Sequence, residues 1–431
     1  MNVLKSGKLI VVLTFLSLTS QAQDTLRLSR EQAEAVFLKE NLLLIAEKLN
    51  ISQAEAQVLQ ARLWENPSFI INQVNLWVKD AQNGEQEEIP PLGKIRPNQQ
   101  FGFEIEQLVQ TAGKRKKMVA IEQVSVEKSQ QYFEELLRNL KIEFRNQLTT
   151  LQYLQFNKDI YQNQLNSIKQ LAQAYKKQAE QGHIAQGEYI RLKALELEIS
   201  KNINELNKDI NEAQKELKLF MRLPASTQIE IDAAGYSTNT EQFKKLALND
   251  IIEQAKANRP DYKITQLEEK NFQKLYAYEK AQRVPNITLN AAYDRGGSIF
   301  LDFVGVGLAI DIPCFNRNQG NIKQAQIGIE QSQILNEQKA LSIENEVMLS
   351  YQNLSNAITF FEDIEPDYET TLDNLLASYT KNFTDRNIGM LEYLDFWEAY
   401  MENKKIILEA AKDVNEKKEE LNYSVGFDII K

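Results

Sequence analysis

Val284–Gly320 reads VPNITLNAAYDRGGSIFLDFVGVGLAIDIPCFNRNQG, and its pattern differs from the sequence on either side. Ile287, Leu289, Ala291 and Tyr293 alternate with Thr288, Asn290, Ala292 and Asp294. A period of two, with one apolar and one mainly polar face, is a strand. Pro285 stands where a strand can begin, because the first residue need not donate to the ladder. Gly296 and Gly297, within Asp294–Ser298, permit the positive φ of a turn. The return strand spans Ile299 to Ile312, with Leu301, Phe303, Gly305, Gly307 and Ala309 on one face, and Pro313 ends it. Each strand has roughly 10 residues, the length a tilted strand needs to cross a bilayer. A lone hairpin is unstable, so the chain must supply partners.

Upstream, Asn66-Pro67 ends a helical pattern and a second strand-like stretch follows, Ser68 to Val78. A polar loop, Lys79 to Asn98, holds Asn83-Gly84, Pro90-Pro91 and Pro97. The return strand, Gln100 to Val109, sets Phe101, Phe103 and Ile105 against Gly102, Glu104 and Glu106. Such faces suit a barrel wall with lipid outside and water inside; in a soluble sandwich the apolar face would meet a core.

The remainder is helical. Ser29 to about Arg62 is one predicted helix. Lys114 to about Glu180 is a second, unbroken by proline, and roughly 67 residues at about 1.5 Å each span on the order of 100 Å. Leu165, Ile168, Ala172, Tyr175 and Ala179 keep coiled-coil spacing along it. After a break at Gln181–Gly187, Ile199, Ile203, Leu206, Ile210, Ala213, Leu217 and Phe220 step alternately by four and three. That regularity is a packed left-handed seam. Pro224 ends it, and a linker with β-like character (Gln228–Asp232) follows. A helix from Leu248 to Arg283 precedes the second hairpin, and Asn321 to about Thr384 forms another long helix. Its seam is Ala340, Ile343, Val347, Ser350, Leu354, Ala357, Phe361 and Ile364, with an expected kink at Pro366. A tip at Thr384–Gly389 leads to a last helix ending near Tyr423.

The chain repeats itself. Tyr175 and Tyr379 lie 204 residues apart, as do Ile184 and Ile388, Glu188 and Glu392, and Tyr189 and Tyr393. Pro67 and Pro285 are 218 apart, and the extra residues fall in the first hairpin's proline-rich loop, where a duplicated unit tolerates insertion. The expected division is a signal peptide (1–22), a first repeat (23–224, hairpin about 67–110), a linker (225–248), a second repeat (249–425, hairpin about 285–313) and a tail (426–431). The signal peptide is read from Lys5 and Lys8 ahead of the apolar run Leu9–Leu18, with Ser20-Gln-Ala22 at the cleavage position. No cysteine lies there for lipidation. Its removal takes away two lysines and no acidic residue, so net charge goes from −10 to −12.

Composition excludes several classes. The 431 residues hold no later apolar run of about 18, so a helical membrane protein is excluded. One cysteine, Cys314, makes no disulfide framework; one histidine, His183, leaves few ligands for a metal, and none is assigned. An acidic chain is a poor nucleic-acid binder. No Ser-His-Asp, Cys-His or metal constellation assembles, so neither enzyme nor cofactor is expected. A periplasmic coiled-coil structural protein remains the rival reading; it explains the heptads but not two hairpins with lipid-like faces.

Four strands per chain cannot close a barrel, and open edges are forbidden in lipid, so symmetric association is required. Asn66-Pro67, Gly113-Lys-Arg, Pro285, Ile312-Pro-Cys-Phe-Asn-Arg-Asn-Gln-Gly320 and the paired tips before Glu188-Tyr and Glu392-Tyr resemble the TolC family of outer-membrane efflux proteins over almost the whole chain. The last long motif resembles its heavy-metal, CzcC-type branch; the first repeat lacks an equivalent. The resemblance implies a mainly α fold with a small β part. A homotrimeric α-helical barrel would run through the periplasm, continuous with a 12-stranded outer-membrane β-barrel, four strands per chain. It implies an exit duct working with a periplasmic adaptor and an inner-membrane pump, most readily of the RND type. Metal cations, drugs and type I secreted proteins are the alternative cargoes. Both hairpin ends, Lys79–Asn98 and Asp294–Ser298, are expected to face the cell exterior. The helix-to-helix tips are expected to form a periplasmic gate and adaptor contact, with Glu180, Gly182, Asp385, Arg386 and Gly389 as the candidate residues.

Overall fold

The computed structural model describes residues 25–72, 77–79, 86–88, 101–232, 236, 240–295 and 302–430. The expected signal peptide lies outside these, as do most of the Lys79–Asn98 loop and of the Asp294–Ser298 turn.

In chain order the elements are β1 (Thr25–Leu28), α1 (Arg30–Glu40), α2 (Leu42–Arg62), β2 (Ser68–Asn72), β3 (Trp77–Lys79), β4 (Gln86–Glu88), β5 (Phe101–Val109), α3 (Lys114–Glu180) and α4 (Gln186–Met221). They continue with β6 (Gln228–Ile231), α5 (Leu248–Asn258), α6 (Pro260–Gln282), β7 (Ile287–Arg295), β8 (Asp302–Ile310), α7 (Gln319–Glu362), α8 (Tyr368–Thr384) and α9 (Met390–Val425). The bounds of α3 are those read from the sequence.

Three predicted helices are broken, each for an identifiable reason. Ser29–Arg62 divides at Asn41, whose ψ of 119° leaves the helical region while its buried amide donates to the carbonyl of Phe220. Leu248–Arg283 divides at Arg259, because the residue before Pro260 is pushed to extended ψ. At Pro366 the expected kink is a full break between α7 and α8. Within the stretch Ser68–Val78, β2 pairs with β5, and β3 pairs antiparallel with β4 in a separate small sheet.

Contacts divide the chain into two units, each assembled from three separate stretches. One takes in the described part of Met1–Asn41, with Gln147–Ser237 and Glu369–Lys412. Here β1 pairs in parallel with β6, a strand partner that the sequence did not reveal. Gln214 of α4 holds Ile229 by accepting from its N–H and donating to its carbonyl. The whole predicted α4 seam from Ile199 to Phe220 is buried, and the ring of Phe37 meets that of Phe220 edge-on at 5.7 Å.

The other unit comprises Leu42–Asn146, Thr238–Tyr368 and Asp413–Lys431. Its core gathers Ile343, Val347 and Leu354 of the α7 seam with Ile251, Ala255, Leu421 and Val425. The tail closes back on α9: Asn422 accepts from the N–H of Ile429 and Ile430 and donates to the Ile430 carbonyl. Beside it, Asp428 bridges Arg145 and Lys141. This unit also carries a four-stranded antiparallel sheet in the order β2-β5-β7-β8. The two predicted hairpins therefore lie side by side through β5 and β7.

Candidate functional site

The register of the sheet sorts its side chains. Phe69 faces Ile105, Ile71 faces Phe103, Ile105 faces Ala291, and Ala291 faces Val306. Opposite partners share a face, so Phe69, Ile71, Phe103, Ile105, Leu289, Val304, Val306, Leu308 and Ile310 form one apolar surface. It is open: Val306 is 87% exposed and Phe69 62%. The reverse face carries Asn72, Glu104, Glu106, Asn290 and Asp294. There Glu104 accepts from the amides of Asn72 and Asn290, at 3.1 and 2.9 Å. Gly305 and Gly307, which flank Ala292 and Asn290 in the register, belong to this polar side. A Cβ on Gly307 would collide with the Asn290 amide. Among the described strands β2 and β8 are edges.

The base of the hairpins is pinned by the Gly113-Lys-Arg stretch. Buried Lys114 donates to the Val284 carbonyl and to Asn286 Oδ1, both at 2.6 Å, and Thr111 donates to the Pro285 carbonyl. Burial pushes the Lys114 ammonium below its ordinary range. Each long helix is entered through a left-handed residue, Gly113 (φ 66°) before α3 and Asn318 (φ 57°) before α7. Asn318 donates to the backbone and side chain of Glu279 and accepts from Asn321. The Asn-rich motif missing from the first repeat is thus replaced there by a glycine of the same backbone conformation.

The tips obey the 204-residue offset in their backbone. At the end of α3, His183 N–H bonds Gln178 C=O and Gly182 N–H bonds Ala179 C=O. At the end of α8, Asn387 bonds Asn382 and Arg386 bonds Phe383 in the same way. Both are Schellman caps, with Gly182 (φ 73°) and Arg386 (φ 63°) in the same left-handed position. The Arg386 guanidinium donates to Gln178 Oε1 at 2.7 Å, joining the second tip to the first. Behind it three rings stack: Tyr175 on Phe383 at 5.0 Å, and Phe383 on Tyr393 at 4.6 Å. Burial raises the Tyr175 and Tyr393 phenols, so both stay neutral. Further along α9, Lys404 is held by Glu369 and Asp373, and Asp373 also accepts from Tyr400.

No family model matches the chain, and no curated protein matches it in sequence. Solved structures match it closely in shape. The CmeC outer membrane channel of Campylobacter jejuni superposes with a TM-score of 0.73 at 12% identity, over 92% of this chain and 85% of that one. CusC, described by its transmembrane channel formation, gives 0.71 at 17%, over 92% of each chain. The outer membrane protein VceC of Vibrio cholerae gives 0.68 at 15%, over 93% and 97%.

The fold is that of the TolC-family outer-membrane channels.

Within this TolC-family fold the five predicted tip residues fare differently. Gly182 and Arg386 take the cap positions, and Arg386 makes the link between tips. Glu180 and Asp385 are exposed and form no ion pair among the described residues. Gly389 has no positive φ, and no described atom lies within 4 Å of a Cβ placed there, so neither a turn conformation nor a close approach requires glycine at this position. Gln178 and the Tyr175–Phe383–Tyr393 stack were missed. The offset of Tyr175 from Tyr379 was visible, but pairing across elements is not written in spacing. Among the described residues no helix is long and apolar enough to cross a membrane, and no group of three His, Cys, Asp or Glu is placed to hold a metal.

Proposed function

We propose that this protein is the outer-membrane exit duct of a tripartite efflux system. It would pass cargo from an inner-membrane pump and a periplasmic adaptor to the cell exterior. One observation carries the reading: a four-stranded sheet with a bare apolar face, a hydrogen-bonded Glu/Asn face behind it, and two edges. Nine residues, as in β5, β7 and β8, reach the length a tilted strand needs to span a bilayer (about 9–11 residues). An edge strand of that length leaves about half its backbone groups unpaired. Each costs several kcal/mol in hydrocarbon, so an open edge in lipid is untenable. Pairing β8 of one chain with β2 of the next removes both edges, and three chains make a closed twelve-stranded wall. The carboxylates of Glu104 and Glu106 then face the water-filled lumen.

The tips are the gate of this duct, and the Arg386–Gln178 bond is part of what keeps it shut. Adaptor and pump, the latter of RND type, dock on the periplasmic side. The Pro-Cys-Phe-Asn-Arg-Asn-Gln-Gly320 stretch supports metal cations as cargo through its resemblance to the CzcC-type branch; drugs or secreted polypeptide are the alternatives. The boundaries 23–224 and 249–425 are taken as the two duplicated units.

The test is assembly and topology. The protein is expected to fractionate with outer membranes and to migrate as a heat-dissociable trimer. With Cys314→Ser, cysteines at Asn83 and Gly297 are expected to label from outside intact cells. A single-chain particle soluble without detergent would overturn the duct, and labelling only after breaching the outer membrane would reverse its orientation.

A further inference from the structure

The helix-side margin of the sheet changes chemistry in a fixed order. Val304, Val306, Leu308 and Ile310 give the aliphatic face of β8, and the alternation carries on to exposed Ile312. Phe315 follows, 96% exposed. Beside its ring lies an open cleft lined by Arg283, Arg317 and Lys323 together with Gln319 and Ile322. None of the three cations has an ion pair among the described residues. The first hairpin has the same sequence of chemistry at its base. Exposed Leu63 and Trp64 lead into β2, and the Arg115 guanidinium sits 3.9 Å over the Trp64 ring.

Aliphatic, then aromatic, then cationic is the order of a bilayer from hydrocarbon through interface to phosphate. A solvated loop has no reason to keep three like charges around one cleft next to a bare phenyl ring. The cost of that repulsion is removed by an anion, and continuity with the apolar sheet face says that the anion bears hydrocarbon. We propose that the cleft formed by Phe315, Arg283, Arg317 and Lys323 binds the phosphate headgroup of an anionic phospholipid from the leaflet on the helix side. The acyl chains lie along Leu308, Ile310 and Ile312. The guanidinium of Arg317 suits phosphate by its planar fork, and Lys323 adds a point charge. The site rests on the membrane reading above and deepens it, by fixing the depth at which the sheet sits and naming a lipid partner.

Purified trimer in neutral detergent is titrated with phosphatidylglycerol and with phosphatidylcholine, and bound lipid is counted by native mass spectrometry. The wild type is expected to prefer phosphatidylglycerol. The exposed triple variant Arg283→Gln, Arg317→Gln, Lys323→Gln is expected to lose that preference by on the order of a hundredfold, since each of the three cations near an anionic surface is worth roughly fivefold. The double variant Arg283→Lys, Arg317→Lys keeps charge and is expected to retain most of the preference, and Phe315→Ala to weaken both lipids. Equal phosphatidylglycerol binding by the wild type and the triple variant would overturn the site. So would complete displacement of the lipid by millimolar inorganic phosphate, which would mean a free-anion site. Failure of the duct reading would show earlier and differently, as a protein that needs no detergent or forms no trimer.

Discussion

If the tips are the gate proposed above, the bond between Arg386 and Gln178 gives it a measurable strength. At 2.7 Å, with a charged donor and both partners exposed, it contributes about 0.5–1 kcal/mol per chain. In the proposed trimer it occurs three times, about 1.5–3 kcal/mol in all. If opening parts the two tips, losing it shifts the closed–open balance roughly 10- to 150-fold. Two variants remove the bond by different routes. Gln178→Ala leaves the second tip untouched. Arg386→Gly also relieves the left-handed backbone at φ 63°, worth about 1 kcal/mol, but that relief acts alike on both states while the cap persists. Both are therefore expected to raise open probability and mean conductance in planar bilayers by similar amounts. Asp385→Ala, which removes no ion pair within the described chain, is expected to do much less. Unchanged conductance in both Gln178→Ala and Arg386→Gly would refute the argument. A rise in Arg386→Gly alone would show that charge matters and the bond does not.

Four further outcomes are expected. Gly307→Val drives a side chain into the Asn290 amide and its bond to Glu104, so heat-stable trimer on gels should fall while secretion continues. Gly182→Val forces a β-branched residue to φ 73° at a cost of about 1–2 kcal/mol, and protease nicking at that tip should rise; Gly389→Ala, with ordinary φ and open space, should change neither. Arg259→Ala removes a guanidinium only 2% exposed that holds Asp261, Glu346 and the Ser424 carbonyl. A loss of about 3–5 kcal/mol should lower the apparent melting temperature in detergent sharply. Asp428 is pushed up by burial but pulled further down by hydrogen bonds and charge from Arg145 and Lys141, so its folded carboxyl lies below the usual range. A depressed carboxyl gives stability that is full above its unfolded value, about 3.9, and is lost as pH falls through the folded one. Melting temperature should thus drop below pH 4 in the wild type and less steeply in Asp428→Asn; parallel profiles would remove Asp428 from the acid response.

Local pattern determined a large part of this protein. The bounds of α3, the buried α4 seam from Ile199 to Phe220, and the two-residue period of β7 all follow from side chains a few positions apart on one element. Such periodicity is a property of the chain itself, because burying one face needs only a partner, whichever it is. The 204-residue offset went further, since equal spacing placed Gly182 and Arg386 in the same cap geometry. Tertiary structure alone decided which partners meet. Asn41 ends α1 because the Phe220 carbonyl, 179 positions away, needs a donor. β1 finds β6 across 203 residues, β5 lies against β7, and Gln178 meets Arg386. These pairings rest on single polar contacts and strand edges, which leave no period behind them. The physical reason is that amphipathic spacing records that a face is buried, whereas the identity of its neighbour is fixed by the geometry of closing the whole chain.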